Sequence, residues 1–257
     1  MVPAMTGDLA GWAALDAELD LWAAAGRVAG LWWRDDDAVA PTPALESLLT
    51  IRAKLGLPLA LAVIPARAQP ALAARLAGED GLAVWQHGWA HLNHSPAGAP
   101  KAELGPDRPT GYVLGELARG WLAMDRVFGE TGWHKALVPP HNRIAPALAA
   151  ALPAAGYAGL SAGLGPRPAG LRFVVNAHVD IMDWTTRRFA GEAVALAALV
   201  GALAARRDGR ADPDEPVGFL THHLAHDIEA WRFTEAALAR LAAHRATRFS
   251  DPGTLFE

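Results

Sequence analysis

Residues 28–38 read VAGLWWRDDDA. The first six are apolar and β-prone, as a buried strand requires. An arginine and three consecutive acids, Asp35, Asp36 and Asp37, follow at its C-terminal end. Adjacent carboxylates repel, so a folded chain keeps them together only where something offsets the charge, either water on an exposed turn or a metal ion.

Outward from this stretch the same arrangement recurs. Apolar runs at 58–65, 81–86, 135–140, 157–162, within 171–184 and at 216–223 read as six further strands. Between them lie alanine-rich amphipathic segments at 43–56, 69–78, 111–132, 145–156, 191–207 and 227–244, which read as helices. Residues 88–109, rich in Gly, Pro and His, form the one long loop. Strands alternating with helices imply a parallel sheet covered on both faces. Seven such units without a linker or a composition shift predict an α/β fold, a closed or nearly closed seven-stranded barrel. It forms a single domain over 1–257, with 1–27 as an N-terminal helical extension.

The chain has 257 residues, 52% of them hydrophobic, and a formal net charge of -4, which suits a globular core. No basic stripe points to nucleic acid and no Lys/Arg cluster to an anionic membrane. Cysteine is absent, so disulfides and thiolate metal sites are excluded and any metal falls to His, Asp or Glu. Asp8, Asp16, Glu18 and Asp20 interrupt any apolar run near the N-terminus, and the run at 193–204 is too short to span a bilayer. The parsimonious location is the cytoplasm.

In β/α barrels the chemistry sits at the C-terminal ends of the strands. Here those ends carry Asp35–Asp37, then His87, His91 and His94, then PPHN (139–142), NAHVD (176–180) and THH (221–223). Five clusters on strands far apart in sequence are expected to converge on one mouth. His87 and His91, spaced i, i+4, suit a shared ion. Gly88 follows His87 where a zinc protease needs glutamate, so that reading fails. His178 and Asp180 alternate on strand six and either line the pocket or pair as buried structure. His141 and Asn142 either donate to a substrate or form a polar turn after two prolines, and His94 is a lesser candidate for an extra ligand or a support for one. Trp32, Trp33, Trp85, Trp89, Trp184 and Trp231 lie near the same ends; one or two, Trp89 first, are expected to touch substrate while the rest pack. His134, His226 and His244 read as surface or helix-end residues.

RDDDA (34–38), HGWAH (87–91) and LTH (220–222), in this order, resemble the motifs of the polysaccharide deacetylases, carbohydrate esterase family 4, over about residues 28–225. The resemblance implies a distorted seven-stranded barrel and hydrolysis of an N-acetyl group on an amino sugar. It implies Asp36 as general base, Asp37, His87 and His91 as metal ligands, and His222 as the acid that protonates the leaving amine. Asp35–Asp36 is the alternative base and ligand pair, and His223 the alternative acid. Two imidazoles and one carboxylate with an open position make a catalytic zinc site, so zinc is the expected ion. The chain departs from the family pattern in places. Ala38 stands for a glycine, Gly88 for Ser or Thr, and DIMDW (180–184) matches the fourth motif only loosely. VPPHN (138–142) lacks the arginine of the third motif, so either Arg34 or Arg143 substitutes or the contact is lost. Two other readings remain: hydrolysis of a non-sugar C–N bond such as a ureide, and a non-catalytic sugar-binding protein.

Overall fold

A computed structural model of the protein describes residues 9–163, 165, 167 and 172–257. Residues 1–8 of the expected N-terminal extension lie outside the described residues. Seven strands form the main sheet: β1 (Ala29–Ala38), β2 (Leu59–Val63), β3 (Leu82–His87), β4 (Ala136–Val138), β5 (Gly159–Leu160), β6 (Val179–Asp180) and β9 (Val217–Thr221). Their order is β5-β4-β3-β2-β1-β9-β6 and every pairing is parallel. The sheet curls into a distorted barrel. Its gap between β5 and β6 is bridged by the segment entering β6, where Val175 N–H donates to Leu160 O at 3.0 Å and Ala177 N–H to Ala162 O at 2.9 Å.

Helices α2 (Pro43–Leu55), α3 (Pro70–Leu76), α4 (Thr110–Phe128), α5 (Pro146–Ala151), α6 (Glu192–Arg207) and α7 (Ile228–Ala243) fall where the amphipathic segments predict them. Thr42 caps α2 by accepting from Leu45 N–H, and Gly56 ends it in the left-handed conformation. Helix α1 (Leu9–Ala24) is part of the body of the protein: Leu15, Leu19 and Trp22 are buried in the main core and Glu18 pairs with Arg207 of α6 at 2.8 Å.

Alternation along the strands sorts the side chains into two layers. Leu31 and Trp33 of β1, Leu59, Leu61 and Val63 of β2, and Val217 and Phe219 of β9 pack in the large core with the helices. Trp32, Ala60, Ala62, Ala83, Trp85, Ala136 and Val138 fill the barrel interior. Large and small residues complement one another there, with the Trp32 and Trp85 rings 5.5 Å apart.

Three features differ from the sequence expectation. β1 runs past Trp33 to Ala38, and its register with β2 shifts between Asp35 and Ala38: Asp35 faces Leu61 but Ala38 faces Val63. Three residues therefore oppose two, a β-bulge, with Asp37 at φ +75°. The sixth strand is cut short because Asp180 accepts Met182 N–H at 3.0 Å and turns the chain. The chain then leaves the sheet as an antiparallel hairpin, β7 (Met182–Asp183) and β8 (Arg188–Phe189). Finally, β10 (Thr247–Phe249) adds to the start of β1.

Candidate active site

The bulge decides which acids face the mouth. Strict alternation would aim Asp35 and Asp37 to one side. The extra residue instead lets Asp36 and Asp37 both reach the mouth while Asp35 stays in the outer layer. Each carboxylate then meets a different counter-charge.

Asp37 meets imidazoles. Its Oδ1 lies 3.2 Å from His87 Nε2 and 3.3 Å from His91 Nε2. That oxygen is buried and makes no hydrogen bond among the described residues. The ligand atoms of Asp37, His87 and His91 all lie within 4.8 Å of one another. Ligands about 2.0–2.1 Å from a tetrahedral ion stand about 3.3 Å apart, so these spacings fit a zinc-like ion. His87 Nδ1 lies 3.0 Å from the Val138 carbonyl, a contact that needs the proton on Nδ1 and leaves the Nε2 lone pair for a metal. Burial opposes charge on Asp37, yet the close contact with His87 and the fields of His87, His91 and His222 hold its carboxyl well below the usual range. Burial and the neighbouring His87 lower His91, which keeps its ring neutral and able to ligate.

Asp36 meets Arg34, which is wholly buried. Arg34 Nε lies 2.9 Å from Asp36 Oδ1 and Nη2 donates to Oδ2 at 3.0 Å, a two-point fork. The rest of the guanidinium is fixed by Ser161, whose Oγ accepts at 2.6 Å and whose carbonyl accepts at 3.1 Å, and by Asn142 Oδ1. Of the two candidate arginines, Arg34 is the one that reaches Asp36. Arg143 donates instead to the Lys101 carbonyl at the surface.

Asp35 meets His223. Both side chains are fully buried and His223 Nδ1 contacts Asp35 Oδ1, while Asp35 Oδ2 accepts from His223 N–H at 3.0 Å and from Thr221 Oγ1 at 2.7 Å. With Thr221 and His223 turned outward, His222 points into the barrel mouth. Its Nε2 lies 3.8 Å from Asp36 Oδ2 and its Nδ1 3.9 Å from Asp180 Oδ1, ion-pair rather than hydrogen-bond distances. Trp184, on the β7–β8 hairpin, sets its ring edge-on to His222 with centroids 4.5 Å apart, and its Nε1–H donates to Asp180 Oδ2 at 2.7 Å. The ring is 47% exposed, so an apolar wall stands beside the site.

The other expected residues divide. His141 comes to the mouth: its ring is 4.7 Å from that of His91, with the backbone at φ +59°. Burial, with the fields of the neighbouring His91, His87, Lys101 and Arg143 added to it, holds its pKa at about 4, so it is a neutral group near pH 7. Asn142 is at the site, but its Oδ1 is committed to Arg34. Asp180 is at the site beside His222. His178 is not brought to the mouth, which corrects the pocket expectation. It sits level with Gly218 near the start of β9. Its Nδ1 accepts Gly218 N–H at 2.9 Å and its Nε2 faces Arg206 and Glu215, so it is held as half-buried structure. Trp89 is half-buried, its ring 5.9 Å from the Arg119 guanidinium on α4. His94 stays outside the ligand cluster. His226 is mostly buried, with Nε2 3.4 Å from His222 N.

No family model matches the chain, and no curated protein matches it in sequence. Solved structures do resemble it. A family 4 carbohydrate esterase from Streptomyces lividans in complex with acetate is 17% identical with a TM-score of 0.52, over 86% of this chain and 92% of that one. A family 4 acetyl xylan esterase from Clostridium thermocellum, in complex with a cobalt ion, is 15% identical with a TM-score of 0.55, over 88% and 90%. A peptidoglycan deacetylase from Bacillus subtilis is 14% identical with a TM-score of 0.54, over 89% and 90%. The fold is therefore that of the family 4 carbohydrate esterases and polysaccharide deacetylases.

Proposed function

We propose that the protein is a metal-dependent hydrolase that removes an N-acyl group, foremost N-acetyl, from an amino sugar or glycoconjugate. The observation that carries this reading is the meeting of Asp37, His87 and His91 with Asp36 and His222 at one mouth of this barrel. When bound by Asp37, His87 and His91, a divalent ion, zinc first, supplies Lewis acidity for the acyl carbonyl and its attacking water. Asp36, aimed by the Arg34 fork, takes the proton of that water. His222 delivers a proton to the amine nitrogen as the C–N bond breaks, and Asp180 stands by its far ring nitrogen. Trp184 offers an apolar ring face for a sugar. Among the described residues no helix is long and apolar enough to cross a membrane.

The test is release of acetate from a panel of N-acetylated oligosaccharides, sugar nucleotides and glycolipid precursors, by zinc-loaded and metal-stripped protein. Zinc-dependent release that falls at least ~10²-fold in His222→Ala is the expected result, the low end for loss of an acid or base catalyst. Release by the loaded protein from no member of the panel, with ureides cleaved instead, would move the reading to a non-sugar C–N bond. Binding of the sugars without any cleavage would make the protein a sugar-binding one.

A further inference from the structure

We propose that Glu103 is a positioning residue for the metal centre, its carboxylate fixing the 88–92 turn in the conformation that delivers His91 to Asp37 and His87. The proposal rests on the metal reading of those three residues, not on the identity of the substrate. His87 ends β3, so the strand fixes it. His91 has no such support, because residues 88–92 belong to no helix or strand. Within four positions this turn holds two left-handed residues, Gly88 at φ +55° and His91 at φ +61°. A turn of this kind directs successive backbone N–H groups inward, where an anion can collect them.

Glu103 is that anion, reaching in from the far side of the long loop. Its Oε2 accepts from Trp89 N–H at 3.0 Å, and its Oε1 accepts from Ala90 N–H at 2.8 Å and Leu92 N–H at 3.3 Å. It is 1% exposed. A carboxylate is costly to bury unless hydrogen bonds satisfy it, and here three backbone amides do so. Arg108 anchors the segment that carries Glu103 in turn, donating to the Glu103 carbonyl at 2.8 Å and to Glu116 of α4 at 2.8 Å.

The sequence carries a matching mark. A Cβ on Gly88 would lie 2.1 Å from Glu103 Oε2 and 2.6 Å from the Pro140 ring. A side chain at 88 and the carboxylate of 103 claim the same space, so glycine at one position and glutamate at the other form a pair. Glutamine at 103 would keep the size but set an N–H donor against backbone donors, and the turn would lose at least one of its three ties.

The measurement is zinc affinity of the metal-stripped full chain by competition with a chromophoric chelator, with amide hydrogen exchange read at Trp89, Ala90 and Leu92. In Glu103→Gln, affinity is expected to fall about 10–100-fold, the range for supports of metal ligands, with faster exchange at those amides and an unchanged circular dichroism spectrum. Glu18→Gln, which breaks a buried ion pair between α1 and α6, should lower the unfolding midpoint and leave zinc affinity alone. If Glu103→Gln does not fold, Glu103→Asp keeps the charge on a shorter side chain and should still bind zinc more weakly than wild type. Wild-type zinc affinity in a folded Glu103 variant would overturn the proposal, as would an equal loss in Glu18→Gln or a wild-type chain that takes up no zinc. A weakened Glu103 variant of a chain that cleaves no acyl sugar would leave this inference standing and remove the proposed function alone.

Discussion

Asp36 and Asp37 are adjacent and chemically identical, yet the structure gives them different partners and so different expected losses. Asp36 is forked to Arg34 and stands 3.8 Å from His222. Asp37 presents a buried oxygen to two imidazole nitrogens. Asp36→Asn should therefore keep the metal and lose turnover by at least ~10²-fold. Asp37→Asn should weaken the metal itself, with part of the activity returning on added zinc. Metal content and rate measured on both variants decide it; metal loss confined to Asp36→Asn would exchange the two roles. Arg34→Met should resemble Asp36→Asn, because the carboxylate loses its only fork. At this scale the sequence showed the acids and histidines but not which cation answers which acid. Arg34 lies two residues before Asp36, so alternation puts both on one face, whereas Ser161 and Asn142 reach Arg34 only through the closed barrel.

At the scale of elements, the Asp35–His223 contact ties the end of β1 to the end of β9 in the outer layer, and with Thr221 it sets which way His222 points. Burial works against both charges. The positive field of His223 and its hydrogen bond nonetheless lower Asp35, and the field of Asp35 raises His223. A lowered carboxyl contributes its full stability above its unfolded value of 3.8 and loses it as pH falls through the lower folded value. A raised imidazole contributes fully below its unfolded value of 6.5 and loses it as pH rises through the higher folded value. The clamp is thus worth most between about pH 4 and 6.5, on ordinary unfolded values. Urea unfolding of wild type against Asp35→Asn should give a gap of about 3–5 kcal/mol in that window, the usual loss when one partner of a buried pair is removed. The gap should narrow toward pH 9; one that stayed constant instead would mean His223 is neutral in the fold. The strands and helices were legible because their periods are long and repeated. The bulge at Asp37, the β7–β8 hairpin and β10 were not, since each depends on one register shift or one Asx turn that no pattern announces. His178 misled for a related reason: alternation put it on the face of Asp180 but not at its height, and one strand repeat lower it meets Arg206 and Glu215.

Across the whole molecule, the mouth carries the proposed chemistry while the opposite end of the barrel is closed by the chain's own last residues. Phe256 packs against Trp85 with ring centroids 5.3 Å apart, and Trp85 in turn meets Trp32. The ring lies over Gly159 in β5, where an added Cβ would stand 2.3–2.5 Å from it. Gly159 sits in a strand with no left-handed φ among the described glycines of that kind, so space rather than backbone conformation excludes a side chain there. Gly159→Ala alone should therefore destabilise by about 1–3 kcal/mol, the range for overpacking. Phe256→Ala alone should cost about 2 kcal/mol, below the 3–5 typical of a fully buried phenylalanine, because this ring is only partly buried. In the double variant the alanine at 159 occupies room the ring has left, so the two losses should fall short of their sum by 1 kcal/mol or more, as residues in direct contact do. Zinc affinity should stay at the wild-type value in all three, since Trp85 lies two residues below His87 on β3 and separates the plug from the ligands. Chemical unfolding of the three variants reads the coupling. Strict additivity would mean Phe256 does not rest on Gly159, and a fall in zinc affinity would mean the plug supports the mouth through the tryptophan stack.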